Sequence, residues 1–227
     1  MTSEDAAAAL AAALSSPPHG REPIPCRPLD PPAGRIARAT LVLDLASVPL
    51  PPRSRALLSG TAESPDSVAG VVVKWANAHL KALVATFLAG DVRVDAYRPG
   101  AVALTGLGPG LTPTGDDLLV GLAAAARRLV GGGLLDARAA VAFGTCLGGL
   151  ARTDTTPAAR LLVEQAASGI FPNVLADFVE TIGDSGAAPE RLVVVATKLA
   201  LTGAHSGADF LAGALALVQG VAEPQEV

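Results

Sequence analysis

Two stretches of this chain are copies of one turn, and they restrict the fold more than any other feature. "TPTGDDLLVG", which ends at Gly121, lines up with "AHSGADFLAG", which ends at Gly213. Thr114 aligns with Ser206, Gly115 with Gly207, Asp117 with Asp209, Leu119 with Leu211 and Gly121 with Gly213, each pair 92 positions apart. An alanine-rich apolar helix is expected after each copy. The hydroxyl residue stands where a cap accepts a hydrogen bond from the third helical residue, and the acid where it bonds back. Gly121 and Gly213 fall inside the expected helices, where glycine costs about 0.5–1 kcal/mol relative to alanine. Glycines kept at such positions mark tight contacts. The two helices are therefore expected to cross face to face about a pseudo-twofold axis.

The first copy carries more than a helix entry requires. "GLGPGLTPTGDDLLVG" sets Gly106, Gly108 and Gly110 among Pro109 and Pro113. Glycines let the main chain approach a ligand, prolines fix its path, and free N–H groups at a helix start favour an anion. It is no familiar phosphate loop: Gly115 is followed by Asp116 where the Walker pattern has Lys, and Leu111 stands where a dinucleotide loop has glycine. Asp116 and Asp117 leave three options open. They hold Mg²⁺ against a phosphate, accept hydrogen bonds from an amide or ammonium group, or complement the helix dipole.

Other candidates gather around this loop. "ARTDTTPAARLL" places hydroxyls before a helix that starts at Pro157, so Thr155 or Thr156 caps it. In the functional reading Arg152 also offers a fork to a carboxylate or phosphate. His205 beside Ser206 lacks the GxSxG elbow of a serine hydrolase and reads as a pocket-lining or surface group. His19 and His79 have no ligand cluster around them, so no zinc site is expected. Lys198 either snorkels or points into the site. The expected ligand site thus comprises Gly108, Gly110, Thr112, Thr114, Gly115, Asp116, Arg152, Thr155, His205, Ser206 and Gly207, with Asp117 and Asp209 in catalytic roles. No metal ligands are assigned; Mg²⁺ is the one cofactor left open.

Along the chain, residues 1–20 read as an alanine-rich helix and the start of a proline-rich connector. Residues 21–104 read as an α/β part, and 105–227 as a helical part holding both turns. Strands are expected in "RIARATLVLDLA" and in "DVRVDAY" and "AVALTG", the last two joined by the turn "RPG". Between them a long helix is expected to begin at Pro65, capped by Ser64, and to stop before Gly90. Helices follow at roughly 116–130, 136–150, 157–168, 172–183, 188–202 and 207–220. The expected fold is α+β: a sheet-bearing N-terminal part with one long helix, then a mostly helical part.

Composition closes off other classes. A net charge of −4 leaves no basic footprint for nucleic acid or anionic lipid. Cys26 and Cys146 form no CxxC pair, so buried free thiols are expected. No Lys or Arg precedes Arg21, so the opening segment lacks a signal peptide's basic start. The most apolar later runs are broken by Arg127 and Arg128 or by Lys198, so no membrane span is expected and a cytoplasmic location is.

Together the two turns resemble a bacterial domain-of-unknown-function family. It includes AllH, one of three proteins assigned to the anaerobic oxamate carbamoyltransferase of allantoin breakdown. The family's first motif runs Gly-Leu-Thr-Pro-Ser-Gly-Asp-Asp and matches Gly110, Leu111, Thr112, Pro113, Gly115, Asp116 and Asp117, with Thr114 replacing the serine. Its second matches Ser206, Gly207, Asp209, Leu211 and Gly213. The resemblance covers the C-terminal half and is vague over the first hundred residues. It implies a partner-dependent subunit of a carbamoyltransferase in purine or nitrogen catabolism, working on a small anionic amide or phosphate ligand inside a hetero-complex. The rival expectation is a non-catalytic small-anion-binding or scaffold protein that works with partner subunits.

Overall fold

A computed structural model describes residues 48, 50–59, 67–150, 155–184 and 187–222. Within them the chain is a stack of helices: α1 Pro52–Ser59, α2 Val68–Leu88, α3 Val94–Leu104, α4 Thr114–Gly131, α5 Ala137–Leu150, α6 Pro157–Ala167, α7 Asn173–Ile182, α8 Pro189–Ala200 and α9 Ser206–Ala222. The expected α+β architecture is not what forms, because no strand occurs among the described residues. The expected strand over 35–46 and the alanine-rich opening helix lie outside them.

The strands expected in "DVRVDAY" and "AVALTG" are instead one helix, α3, with the supposed turn residue Pro99 inside it. Tyr97, Gly100, Ala101 and Leu104 are all buried, a spacing of three and four residues that lines one helical face. Burial of that face outweighs the hydrogen bond that Pro99 cannot donate. Gly100 serves packing here rather than turning. A methyl group on it would stand 2.8 Å from Cγ of Leu83 on α2. Tyr97 anchors the helix start by donating its hydroxyl to the Asp91 carbonyl at 2.8 Å.

Helix α2 begins one turn later than expected, with Ser67 as its cap, accepting from Gly70 N at 3.0 Å. Ser64 and Pro65 lie outside the described residues. Gly90, in the left-handed region, ends α2 as anticipated. By length and composition alone, Ala69–Leu88 is apolar enough to cross a membrane. Its Leu80, Leu83, Val84 and Phe87 are buried in the protein's own core. His79 packs on Trp75 with ring centres 4.7 Å apart, and Lys198 is exposed. Cys146 is a buried free thiol whose pKa burial pushes up; Cys26 is outside the described residues.

One apolar cluster runs from Val48 to Val218 and includes residues of each helix among the described residues. Its centre is the pair α4 and α9, which share the most extensive helix contact among the described residues. A Cβ on Gly121 would lie 2.0 Å from the Phe210 carbonyl oxygen, and one on Gly213 would lie 2.1 Å from that of Leu118. Leu118 and Phe210 are themselves 92 positions apart. Each glycine thus sits on the counterpart of the other's seat. This reciprocity is what a twofold relation demands, and the expected face-to-face crossing is found.

Candidate functional site

The crossing places both turns at one end of the α4–α9 pair, and each is built the same way. The carbonyl of Leu104, ending α3, accepts from Leu107 N, and the Leu107 carbonyl accepts from Gly115 N at 2.9 Å. In the second copy Leu199 near the end of α8 accepts from Thr202 N, and Thr202 accepts from Gly207 N at 3.0 Å. Gly115 would press a Cβ to 1.8 Å from the Leu104 oxygen, and Gly207 to the same distance from that of Leu199. Both glycines are contact residues. Neither offers its N–H to a ligand.

The copies differ in length. Eight positions separate Leu107 from Gly115, but five separate Thr202 from Gly207. The longer first loop carries Gly108 and Gly110 at φ of 108° and 114°, values that side-chain-bearing residues rarely adopt. Gly108 lies against Thr114, where a Cβ would be 3.1 Å from its hydroxyl oxygen. The extra length also reaches across to the second turn, and Thr112 and Ser206 hydroxyl oxygens are 2.7 Å apart.

The expected caps are not made by the motif residues. Pro113 occupies the cap position of α4 and has no side-chain group to accept a hydrogen bond, and α9 already includes Ser206. Thr114 and Ser206 therefore stand at first helical positions, and the Thr114 hydroxyl is buried with no hydrogen-bond partner. Thr156 caps α6 by accepting from Ala159 N at 3.1 Å, and it donates to the Leu111 carbonyl in the glycine-rich loop. Thr155 donates to Asp116 Oδ2 at 2.7 Å. The start of α6 is thereby tied to the first turn. Arg152 lies outside the described residues, and His205 is exposed.

Three aspartates come together here, in unequal circumstances. Asp209 is 1% exposed and accepts from Ser54 of α1 at 3.1 Å, a partner 155 positions away. Asp116 Oδ2 also accepts from Gly106 N at 3.1 Å, while Oδ1 is buried and unpaired. Burial pushes the Asp116 pKa up, and the bonds from Thr155 and Gly106 pull the other way. Asp117 is fully enclosed, and neither of its oxygens has a hydrogen bond of sound geometry. Burial raises its pKa well above the ordinary carboxylate value. The nearby Ser206 and Thr112 hydroxyls moderate that shift, and the charges of Asp209 and Asp116 add to it. With those two hydroxyls in hydrogen-bond contact with each other, one proton is committed away from Asp117.

Four buried oxygens of one helical turn thus lack donors: Thr114 Oγ1, Asp116 Oδ1 and both of Asp117. Native interiors leave few such groups, and each calls for an explanation. Three are carboxylate oxygens, so the cluster is suited to an N–H-bearing group rather than to a bare anion. No grouping of three or more His, Cys, Asp or Glu side chains able to hold a metal occurs among the described residues.

Comparison with known proteins bears on the same segment. A family model described as oxamate carbamoyltransferase subunit AllH matches residues 104–218, more than half of the chain. The chain belongs to the AllH family. The match to AllH begins at the carbonyl that seats Gly115 and runs through both turns into α9. No solved structure matches the chain. Sequence reasoning missed Ser54, whose place beside Asp209 depends on a helix far away in the chain. It also missed the Gly106 N–H, which has no side-chain signal at all.

Proposed function

We propose that this AllH-family chain is the subunit of a carbamoyltransferase that holds the amide end of its substrate at the paired turns. Asp117 carries the reading. It is a buried carboxyl group whose oxygens have no hydrogen bond of sound geometry, at the meeting point of two equivalent turns. A carbamoyl or amide group brings NH₂ donors that match such acceptors, because a buried polar group is costly until it is paired. Oxamate, oxalurate and carbamoyl phosphate all carry that group, and the family description supplies the reaction class. In this reading Asp117 orients the nitrogen by accepting its N–H. Thr112 and Ser206 form the rim, and Asp209, bonded by Ser54, adds the charge that helps keep Asp117 neutral when no ligand is bound. Gly108 and Gly110 of the longer first loop face the anionic end. The pathway is nitrogen or purine catabolism in the cytoplasm, and the activity requires partner subunits.

The test compares oxamate with oxalate, which has no nitrogen. Oxamate is expected to raise the melting temperature of the full-length chain, with oxalate giving a smaller shift. Asp117→Asn should remove that preference and lower carbamoyl transfer in the assembled complex by about a hundredfold. Equal shifts from both ligands, or full activity in the variant, overturn the assignment.

The enclosure of all three aspartates favours a second reading, a non-catalytic subunit that binds a small anion or serves as a scaffold. Under it Asp117→Asn changes stability or assembly while the complex assembled from it turns over normally.

A further inference from the structure

A second region of the molecule has an unused charged group at the wall of a cavity. Between α4, α5 and the turn after α6 lies a half-open groove of about 400 Å³, within the size range of small-ligand sites. Ala126, Val130, Ala140, Phe143 and Phe171 give it apolar walls. Its hydroxyls are already committed: Thr145 donates to the Val141 carbonyl at 2.9 Å, and Ser168 to that of Glu164 at 3.2 Å. What remains is Arg127. It is half-buried, its Nε is enclosed without a hydrogen-bond partner, and no carboxylate pairs with it among the described residues.

The guanidinium lies in the space left by Gly169, at φ 79°, where a Cβ would stand 2.7 Å from the Arg127 Cζ. The closing end of α6 is a favourable neighbourhood for a cation, which accounts for the charge being tolerated. It leaves the Nε donor unused, however. Arginine presents its N–H groups as a planar fork suited to a carboxylate. Arg127 follows Asp117 by ten positions on the same helix, about 15 Å along its axis, so this groove is distinct from the paired turns.

We propose that the groove binds a small organic acid, with its carboxylate on Arg127 and its apolar body against Phe143, Phe171 and Val130. The chemistry of the walls selects the ligand: one fixed positive group, no free negative group lining the groove, and small alanine side chains that leave room for a hydrocarbon chain.

Calorimetric titration and thermal shift of the full-length chain test this, with hexanoate as probe and acetate, hexanol and hexylamine as controls. Saturable hexanoate binding is expected, at least about tenfold tighter than that of any control. Arg127→Gln should weaken hexanoate by about tenfold or more and leave hexanol unaffected. Ala140→Phe, which fills the groove, should block both, and Asp117→Asn should change neither. Equal binding of hexanoate, hexanol and hexylamine overturns the proposal, as does the absence of saturable hexanoate binding at millimolar concentration. An Arg127→Gln variant that binds hexanoate normally but no longer assembles with partner subunits also overturns it, and reassigns the guanidinium to a subunit contact.

Discussion

The two turns share a scaffold and differ in what has been placed on it. Each seats a glycine on a carbonyl from the end of the preceding helix, and each sends a second glycine into the helix crossing. In the second turn Ala208 stands where the first has Asp116, and the lone acid, Asp209, receives a hydroxyl from Ser54. The first turn has two acids, three further loop residues and four buried oxygens without donors. The difference teaches that the repeated part is architecture, and that the buried oxygens without donors gather on the copy with the longer loop and the second acid.

The hardest test of the shared part is the crossing itself. Gly121→Ala and Gly213→Ala each force a methyl group to about van der Waals overlap with backbone, 2.0 Å and 2.1 Å from carbonyl oxygens that belong to helices. Each should destabilise the fold by about 3 kcal/mol or more, measured by urea unfolding. The two losses should be alike. A variant that costs almost nothing would show that the halves are not equivalent at the crossing.

A pH series addresses the unequal setting of the two matched acids. Burial raises the Asp117 pKa, so folding disfavours its ionised form. Stability from keeping the group neutral is fully present below the ordinary value of 3.8, and it is lost as pH rises through the raised folded value. Asp117→Asn removes that loss. The variant should match the wild type in acid and be the more stable of the two on the alkaline side. Parallel melting curves for the two proteins across this range would mean that Asp117 is not strained in the fold.

Smaller effects separate the supporting hydroxyls. Ser54→Ala should cost about 1 kcal/mol by removing the donor to Asp209, read as a shift in denaturation midpoint. Thr112→Val and Ser206→Ala should each cost about 0.5–1 kcal/mol, and the double variant should cost little more than either single one. Full additivity would show that the two turns are not coupled through these groups.

Periodicity served well where one helical face is apolar and punctuation is clear, so α4 to α9 fall close to their expected bounds, and the Gly121 and Gly213 contact was readable from spacing alone. It failed at α3. Valines and a Pro-Gly pair there imitate a hairpin, and only the buried stripe of Tyr97, Ala101 and Leu104 shows that tertiary packing overrides local preference. In the site, the motif residues were visible but their bonds were not. Thr114 looked like a cap because Pro113, which takes that position, accepts nothing through its side chain. Asp209 and Asp116 find hydroxyls on α1 and at the start of α6, at distances along the chain that no local pattern records.

The reciprocal seating of Gly121 and Gly213 has the form of a contact between two identical molecules, made within a single polypeptide. Two separate copies would have to present the same surface and the same acids to each other. Joined in one chain, the halves are free to differ: one carries the longer loop and the second acid, and the other presents the matching surface against it.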